Sequence, residues 1–405
     1  MRQLARAVGV LEIARRHLRH EPGHDALGRL PESARELLDQ RGRLVAGGCG
    51  GGMRAGRRGR HVGSLSEDLY NGNLTGYLAR RLDGRDGRGP MQAVVIGNFD
   101  GVHCGHRHLF ETARSVSPRA TLAAVTFEPL PAAVLRPEIP MGRLTPRAER
   151  EALLRSTCGV ERVIELEPTP ELLGLSPEAF ISRLRGMLPF DLVIEGPDFR
   201  FGKGRSGDLA TLRALGARDG FAVVEASPRV VTLSDGTETE ARSSVARGLL
   251  AEGRVADAAI VFGRAYSLTC PTVRGDQRGR TIGWPTMNID ARGRILPADG
   301  VYAGRAALPD GTRAIAAISI GTKPTFGESP RTCEATLLGP DGAALPLAPD
   351  LYGLSLRLEF LSFIRPQARF DGLAALLAQM ERDRAAILAA AGGDAAVEPP
   401  STAVR

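Results

Sequence analysis

The sequence predicts two folded parts: an α/β domain, and after it a smaller antiparallel β-barrel that ends in one helix. Three observations predict this. Between residues 91 and 225, short apolar runs rich in β-branched residues alternate with helical patterns, which is typical of a parallel sheet covered by helices on both faces. From residue 263 onward, short strand patterns are separated by Gly, Pro and Asp turns without helices between them. A last helical pattern spans 372–390.

The elements of the α/β part follow from its apolar runs and caps. Thr145 is expected to cap a helix over 145–156 with Pro146 at its first position, and Ser176 to cap the next helix. Ligands of parallel sheets bind at the carboxyl ends of the strands, so the site is expected at that edge. The strands are expected at 93–96, 120–127, 160–166, 191–194 and 222–225.

The barrel follows a linking helix expected at 255–262. Its closing helix is expected to pack through apolar residues at helical spacing, which are Leu373, Leu376, Leu377 and Met380. The barrel strands are expected at 266–273, 300–307, 314–320, 331–338 and 355–363.

Composition and cysteine usage exclude several classes of protein. No apolar run approaches the ~18–20 residues that a membrane-spanning helix needs, so no membrane partner is expected. The five cysteines are odd in number, scattered and without metal-ligand spacing, which predicts free thiols in a reducing, cytoplasmic location. Their positions are 49, 104, 158, 270 and 333.

The excess of positive over negative charge is confined to the N-terminal segment. The pI is about 9.6, but residues 1–90 hold 17 arginines and 10 acidic residues and so carry the whole excess of +7. The rest of the chain holds 36 basic and 36 acidic residues, which does not favour a nucleic-acid partner. Glycine- and arginine-rich stretches predict a disordered extension over 1–90. Translation from Met53 or Met91, a targeting peptide, or an arm for nucleic acid or anionic membrane are the alternatives.

A glycine-bearing stretch, 97–106, follows the first predicted strand and precedes a predicted helix. Such a turn brings backbone close to a phosphate, and a helix N-terminus favours an anion. Three of the seven histidines lie at 103, 106 and 108. Imidazole N–H groups can donate to phosphate oxygens, so His103 and His106 are candidates for phosphoryl chemistry. The alternative is a tight strand–helix connection with surface histidines.

Two further segments of the α/β part combine cations with glycines or hydroxyls. The loop over 196–207 carries Arg200, Lys203 and Arg205 among glycines, which suits a phosphate or a flavin nucleotide. The segment 242–247 begins with Ser243 and Ser244 before a helix that runs to about residue 252. Its hydroxyls and Arg247 can hold phosphate, whereas a solvated basic loop is the plain alternative for 196–207.

The barrel part carries a glycine- and arginine-rich turn over 275–283, followed by Thr286 and Asn288. Two residues apart in an extended segment, these side chains point the same way. Their oxygens are suitable ligands for Mg²⁺ or an ATP phosphate. Taken alone, threonine and asparagine in a turn would usually be structural hydrogen bonders.

These motifs resemble those of a known family. H-x-G-H is similar to the nucleotidylyltransferase superfamily, and G-N-F-D-G-V-H-x-G-H resembles the prokaryotic bifunctional riboflavin kinase/FAD synthetase family. G-x-D-F-R-F-G within 196–202 and G-x-x-R-G-R-x-x-G-[FW]-P-T-x-N over 275–288 resemble the same family. The S-S-T-x-I-R element is matched imperfectly, with Arg242 and Ala246 as departures, and Leu130 replaces a common histidine.

The resemblance implies a Rossmann-like FMN adenylyltransferase domain over 91–260, a riboflavin kinase barrel over 261–390, and a disordered tail over 391–405. For adenylyl transfer it implies His103 and His106 as catalytic residues. It implies a site for ATP and its phosphates at Gly97, Asn98, Phe99, Asp100, Gly101, Gly105, Ser243, Ser244 and Arg247. It implies a flavin loop with Asp198, Phe199, Arg200 and Arg205.

For the kinase, the resemblance implies Glu334 as the base and Thr286 with Asn288 as ligands of Mg²⁺. Ser319 stands where asparagine is usual, and Phe370, Gln379 and Asp383 are expected to support the flavin site. The residues implied to bind ATP or flavin are Gly275, Arg280, Thr281, Gly283, Pro285, Thr286, Asn288 and Arg365.

The resulting hypothesis is an enzyme that phosphorylates riboflavin to FMN with ATP and then adenylylates FMN to FAD with a second ATP. Mg²⁺ is the expected cofactor, and riboflavin, FMN, FAD and ATP are the expected small-molecule partners. One alternative is an active kinase with an impaired adenylyltransferase, because of Arg242, Ala246 and Leu130. The other is a flavin-binding regulator that uses its arginine-rich arm on nucleic acid. The oligomeric state is left open.

Overall fold

The computed structural model describes residues 90–139, 142–275, 283–322, 331–339, 341–345 and 353–392. The extension predicted over 1–90 lies outside the described residues except for residue 90, and so do residues 393–405 of the predicted tail. Ala391 was placed in that tail, but it is buried and is the last residue of the closing helix. Among the described helices, none has both the length and the apolar character needed to cross a bilayer.

The α/β domain contains a five-stranded sheet in the order β3-β2-β1-β4-β5, and each pair of neighbours is parallel. The predicted parallel sheet is therefore confirmed. Apolar side chains pack on both of its faces, in two separate clusters. The strands are β1 (Gln92–Ile96), β2 (Thr121–Phe127), β3 (Arg162–Leu166), β4 (Leu192–Glu195) and β5 (Ala222–Glu225).

Six helices accompany this sheet: α1 (Cys104–Val116), α2 (Pro131–Leu135), α3 (Arg147–Cys158), α4 (Pro170–Leu173), α5 (Pro177–Met187) and α6 (Leu209–Asp219). Two further helices lead to the barrel after a hairpin of β6 (Val230–Thr232) and β7 (Glu238–Glu240). They are α7 (Ser243–Ala251) and α8 (Val255–Phe262).

The barrel is closed, in the order β10-β11-β12-β9-β8-β13, with antiparallel neighbours throughout. This confirms the predicted architecture and adds a three-residue strand, β9, that the sequence patterns did not separate. The elements are β8 (Tyr266–Val273), β9 (Met287–Ile289), β10 (Gly300–Ala307), β11 (Arg313–Thr322), β12 (Arg331–Leu338), β13 (Ser355–Arg365) and the closing helix α9 (Leu373–Ala391).

Two local predictions were wrong. Thr145 does not cap α3, which begins at Arg147 after Pro146; its hydroxyl instead accepts a hydrogen bond from the Gly101 N–H at 3.0 Å. Of the four residues expected to pack, Leu373 is 56 % exposed and the other three (Leu376, Leu377 and Met380) are half-buried, whereas α9 fully buries a later stripe at Asp383, Ile387 and Ala391. The early leucines were favoured on apolarity alone, but the carboxylate of Asp383 is buried because Arg365 pairs with it at 2.7 Å.

The sheet splits between β1 and β4 at its carboxyl edge. These strands are paired at Ala93 and Val94, whereas β1 stays paired with β2 as far as Ile96. The Ile96 N–H donates instead to the side chain of Glu195, at 2.6 Å from Oε1. Successive strands are added on one side of β1 as far as β3 and on its other side from β4 onward, so the strand order reverses between β1 and β4. Ligands of doubly wound sheets bind in the crevice at that point. A buried carboxyl group therefore lies at the expected ligand site.

Burial raises the pKa of Glu195 well above its ordinary value of 4.5, so its carboxyl binds a proton in the folded chain at pH values where the unfolded chain has lost it. The contribution of Glu195 to wild-type stability then falls as pH rises above about 4.5, by at most ~1.4 kcal/mol per pH unit. We expect Glu195→Gln to remove this dependence. The free energy of unfolding of the variant, relative to wild type, should rise between pH 5 and pH 8 in urea titrations.

The matched control is Glu225→Gln, which removes an exposed carboxyl at the register partner of Glu195 on β5. The difference in free energy of unfolding between Glu225→Gln and wild type should change less between pH 5 and pH 8. A constant difference between Glu195→Gln and wild type at both pH values would contradict the prediction.

Candidate active sites

The histidine turn, residues 97–103, connects β1 to α1. Phe99 and Val102 adopt left-handed backbone, with φ of +47° and +39°, and both side chains are fully buried. The Phe99 ring packs edge-on against the His106 ring and also contacts Phe110. Left-handed backbone is unfavourable for such residues, so buried packing is what keeps the turn in this conformation.

His103 is the N-cap of α1, and its Nδ1 accepts a hydrogen bond from the backbone N–H of His106 at 3.3 Å. The two imidazole rings stack with centroids 3.6 Å apart. A Cβ at Gly105 would lie 2.3 Å from the carbonyl oxygen of Ala241 and 3.0 Å from His103 Nδ1, so glycine is needed between the two histidines. The spacing H-x-G-H is therefore required by packing at this helix start.

Both histidines are neutral in this environment. Burial, and next the positive charge of Arg264, lower the pKa of His103 to about 3. Burial, His103 and Arg264 hold the pKa of His106 well below its ordinary value. Because His103 Nδ1 accepts a hydrogen bond, its proton lies on Nε2, which is left as a donor. The Nδ1 atom of His106 is buried without a hydrogen-bond partner in the described part of the chain.

Asp100 links this turn to two distant segments. Its carboxylate accepts hydrogen bonds from the N–H groups of Leu144 (3.1 Å) and Thr145 (3.2 Å) and pairs with Arg247 at 2.5 Å. Its carbonyl oxygen accepts from the Ser243 hydroxyl at 2.8 Å. The structure thus brings together three residues that the sequence assigned to phosphate binding, and in this state they bind one another.

The flavin loop, residues 196–207, leaves the carboxyl end of β4 and is closed by backbone hydrogen bonds between Phe201 and Gly207 of 3.0 and 2.9 Å. Phe199 stacks on Phe201, whose ring lies in the core. The side chains predicted to bind ligand are exposed on its surface at Asp198, Arg200 and Arg205, whereas Phe199 is half-buried. The remaining predicted residues of this domain, Asn98 and Ser244, are also exposed.

The departures from the family motif have separate explanations. Arg242 pairs with Asp198 of the flavin loop at 2.5 Å and with Glu240, so it connects the start of α7 to that loop. Ala246 is fully buried in an apolar cluster, and Leu130 is 5 % exposed. The last two positions therefore face the interior, where an apolar side chain fits.

The candidate kinase site lies on the outer face of the barrel. Cys333 and Ala335 flank Glu334 on β12 and are buried inside the barrel, so Glu334 faces outward. Glu334 is directly opposite Asn288 on β9 and Ser319 on β11. Side chains that are opposite in an antiparallel pair have Cβ atoms about 4.5–5.5 Å apart. The predicted base and one predicted metal ligand are therefore neighbours.

Gly275, at the start of the glycine- and arginine-rich segment 275–283, lies against Asn288. A Cβ at Gly275 would lie 2.0 Å from Asn288 Nδ2, so backbone packs directly against that carboxamide. Pro285 and Thr286 are half-buried just before β9, and Gly283 is exposed with φ of +75°. The predicted ligands Arg280 and Thr281 lie outside the described residues.

Arg365, at the end of β13, is held by α9. It donates to both carboxylate oxygens of Asp383 at 2.7–3.0 Å, and Gln379 donates to the same carboxylate at 2.7 Å. The guanidinium also lies 5.6 Å from the centroid of the Phe370 ring. The four residues that the sequence placed near the flavin site are therefore in contact with one another.

Sequence reasoning missed several residues that shape the histidine turn. The backbone of Leu144 and both the backbone and hydroxyl of Thr145 contact Asp100 or Gly101. Arg264 donates to two carbonyl groups of the turn, and the carboxyl of Glu195 lies in the crevice beside β1. A buried acid at the end of an apolar strand was the one visible signal. The other residues contact the turn from positions 44 or more residues away in the sequence.

Comparison with known proteins gives a separate match for each of two parts of the chain. The family model described as FAD synthetase matches residues 88–237, and the model described as riboflavin kinase matches residues 262–390. A bifunctional riboflavin kinase/FMN adenylyltransferase of Escherichia coli K12 is 33 % identical over 300 residues, which is 73 % of this chain and 91 % of the relative. The protein of that description from Bacillus subtilis is 31 % identical over 72 % of this chain and 90 % of the relative.

Among solved structures, one described as a macrolide-efflux protein from Streptococcus pneumoniae is similar, with a TM-score of 0.64 and 26 % identity. The match covers 74 % of this chain and 94 % of that one, and it supports the fold. Two family models in tandem, together with relatives aligned over nine-tenths of their length, assign both halves of the described structure. The chain belongs to the family of bifunctional riboflavin kinase/FMN adenylyltransferases.

Proposed function

We propose that this chain catalyses two consecutive reactions: phosphorylation of riboflavin to FMN in the barrel, and adenylylation of FMN to FAD in the α/β domain. The observation that carries the proposal is the presence of both family matches in tandem: the first covers the histidine turn and the flavin loop, and the second covers the candidate residues of the barrel. ATP is the co-substrate of both steps. We propose domain limits of 91–260 and 261–390, and a cytoplasmic location because both steps consume ATP.

In the kinase step, Glu334 is the proposed base. Its carboxylate accepts the proton of the riboflavin 5′-hydroxyl as that oxygen attacks the γ-phosphorus of ATP. The bond from the γ-phosphorus to its bridging oxygen breaks, and ADP leaves. The register of β9, β12 and β11 supports this role, since it puts Glu334 between Asn288 and Ser319. Gly275 lets backbone approach the phosphates beside Asn288.

The donor set of the barrel fits Mg²⁺. Thr286 and Asn288 offer neutral oxygen ligands, which suit a hard cation that enters with nucleotide phosphates. Within the described ranges, no group of three or more His, Cys, Asp or Glu side chains could hold a metal ion by itself. Such a pattern suits Mg²⁺ that is bound largely through ATP. When bound, Mg²⁺ would neutralise charge that develops on the transferred phosphoryl group.

In the adenylyl transfer step, a phosphate oxygen of FMN attacks the α-phosphorus of ATP. The bond from that phosphorus to the α,β-bridging oxygen breaks, and pyrophosphate leaves. The FMN phosphate is already a competent nucleophile at neutral pH, so no strong base is required. His103 and His106 are proposed to donate hydrogen bonds to the phosphate oxygens, as charge builds up there, beside the N-terminus of α1.

The other residues of the α/β domain divide into two groups. Asp100 is proposed to position the histidine turn, with Ser243 and Arg247 as its partners until nucleotide phosphates compete for them. The exposed flavin loop is proposed to bind FMN through Arg200 and Arg205. Gly101 and Gly105 are proposed to serve the site through packing, since a Cβ would lie 2.7 Å from the Phe262 ring at Gly101 and 2.3 Å from the carbonyl oxygen of Ala241 at Gly105.

The two alternatives are not favoured. If the three departures from the motif impaired adenylyl transfer, they would be expected to disturb the histidine turn. Instead, Ala246 and Leu130 pack in the interior, and Arg242 adds a cation beside the flavin loop. A regulator that uses residues 1–90 on nucleic acid gains no support from the family matches, which begin at residue 88.

The first test is chromatography of flavins after incubation with ATP and Mg²⁺, with one reaction started from riboflavin and one from FMN. The proposal expects FAD in both reactions and no conversion after chelation of Mg²⁺. FMN as the final product from riboflavin, with added FMN unchanged, would overturn the proposed adenylyl transfer. No conversion of either flavin would overturn both halves of the proposal.

Glu334→Gln keeps the size of the side chain but removes the proton acceptor. We expect FMN formation from riboflavin to fall by at least ~10²-fold, which is the contribution typical of a general base. FAD formation from added FMN should stay at the wild-type rate, since it takes place in the other domain. Glu359→Gln is the control, because Glu359 is another half-buried strand glutamate of the barrel. Wild-type FMN formation by Glu334→Gln would exclude Glu334 as the base.

His103→Asn retains an N-cap for α1 but loses the Nε2–H donor. We expect FAD formation from FMN to fall ~10²–10³-fold, as for loss of one donor that stabilises developing charge. FMN formation from riboflavin by the same preparation should be unchanged. The matched control is His108→Asn, since His108 lies one turn further along α1 and contacts Glu111 at 3.6 Å. Equal losses in the two histidine variants would disprove a special role for His103.

A further inference from the structure

Arg264 lies between α8 and β8, at the start of the segment that matches the riboflavin kinase model. Its side chain nevertheless reaches the histidine turn of the other domain. Nη2 donates to the carbonyl oxygen of Gly101 at 2.6 Å, and Nη1 donates to that of Val102 at 3.0 Å. The same guanidinium lies over the Phe262 ring, 5.4 Å from its centroid. It is thus fixed in place as well as hydrogen bonded.

The two carbonyl groups belong to the strained part of the turn. Gly101 has φ of +91°, Val102 has φ of +39°, and both residues are buried. A buried carbonyl group without a donor costs free energy, and a charged donor makes the stronger bond. Arg264 therefore stabilises the backbone conformation that presents His103, the next residue, at the helix start.

Arg264 also acts on the histidines through its charge. Its own pKa is lowered to about 10 by burial, so it remains charged at neutral pH. Its charge contributes to the lowered pKa of both His103 and His106. Neutral imidazoles keep one nitrogen as an acceptor and one as a donor. Arg264 thus holds the backbone of the turn, and its charge adds to the larger effect of burial on the two imidazoles.

A second contact chain runs from the barrel to the same turn. Arg143 lies alongside residues 293–295, with backbone hydrogen bonds to Gly293 at 2.9 Å and from Ile295 at 3.3 Å. Arg294 donates to the carbonyl oxygen of Leu144 at 3.4 Å. The next N–H groups, those of 144 and 145, hold Asp100. The barrel therefore contacts the turn directly at Gly101 and Val102 and supports Asp100 through residues 143–145.

We propose that Arg264 is a positioning residue for adenylyl transfer, so that the kinase part of the chain supplies a structural element of the adenylyltransferase site. This inference rests on the proposed function of that site. It makes the histidine turn dependent on the barrel through named hydrogen bonds. Within the described part of the kinase site, Glu334, Asn288 and Ser319 lie opposite one another on adjacent barrel strands.

The test compares Arg264→Met and Arg264→Lys with wild type in the full chain, using both reactions of each preparation. Loss of two buried charged hydrogen bonds should lower kcat for FAD formation from FMN by about 10- to 100-fold in Arg264→Met. FMN formation from riboflavin should remain within twofold of wild type. Arg264→Lys keeps the positive charge but cannot donate to both carbonyl groups in the same geometry. Its kcat for FAD formation should therefore lie between those of wild type and Arg264→Met.

Arg292→Met is the matched control, since Arg292 lies on the barrel surface with its side chain 90 % exposed. It should leave both rates unchanged. The second readout is NMR titration of the His103 and His106 rings without ligand. Removal of the neighbouring positive charge should raise their pKa values in Arg264→Met and leave them near wild type in Arg264→Lys and Arg292→Met.

Equal loss of both activities would overturn the proposal, because it would mean a general role in folding. Unchanged FAD formation together with unchanged histidine titration would overturn it as well. If wild type forms no FAD from FMN, the proposed function fails by itself. The titration then still decides whether Arg264 controls the turn: a raised histidine pKa in Arg264→Met supports that control, and an unchanged one refutes it.

Discussion

The carboxylate of Asp100 is the constraint on which the adenylyltransferase half depends. Its side chain is 4 % exposed, so it needs protein donors in place of water. These donors come from 144–145 and from Arg247, and its carbonyl takes one more hydrogen bond from Ser243. A buried carboxylate that lost a partner would be costly. The chain must therefore bring two distant segments, 144–145 and 243–247, to the histidine turn to satisfy this buried carboxylate.

The parts predictable from the sequence are those with local signals. Apolar periodicity placed the sheet strands and barrel strands within a few residues, and the glycines of 97–106 marked the turn. Thr145 shows the limit of such reasoning. Threonine before proline suggested a helix cap, but Thr145 binds the Gly101 N–H and the Asp100 carboxylate, which are 44 and 45 residues away in the sequence. Arg264 acts over a still longer separation and had no local signal at all.

The barrel illustrates a different limit. The family motif identified the residue types, Thr286, Asn288 and Glu334, but not their arrangement. Strand order decides that arrangement: β9 lies between β8 and β12, so a three-residue strand brings Asn288 opposite Glu334. A strand this short has too few residues for a periodic pattern to be visible. Gly275 adds a condition that only packing shows, since a side chain there would overlap Asn288.

The two candidate sites differ in how they are built, and this has a physical consequence. Glu334, Asn288 and Ser319 come from adjacent barrel strands, so one closed hydrogen-bonded sheet holds them. The histidine turn draws partners from 144–145, 243–247 and 264, which belong to separate elements. Local opening of any one of these contacts releases part of the turn, whereas barrel strands open together. Adenylyl transfer should therefore be the more easily perturbed activity of the pair, because its site depends on more independent contacts.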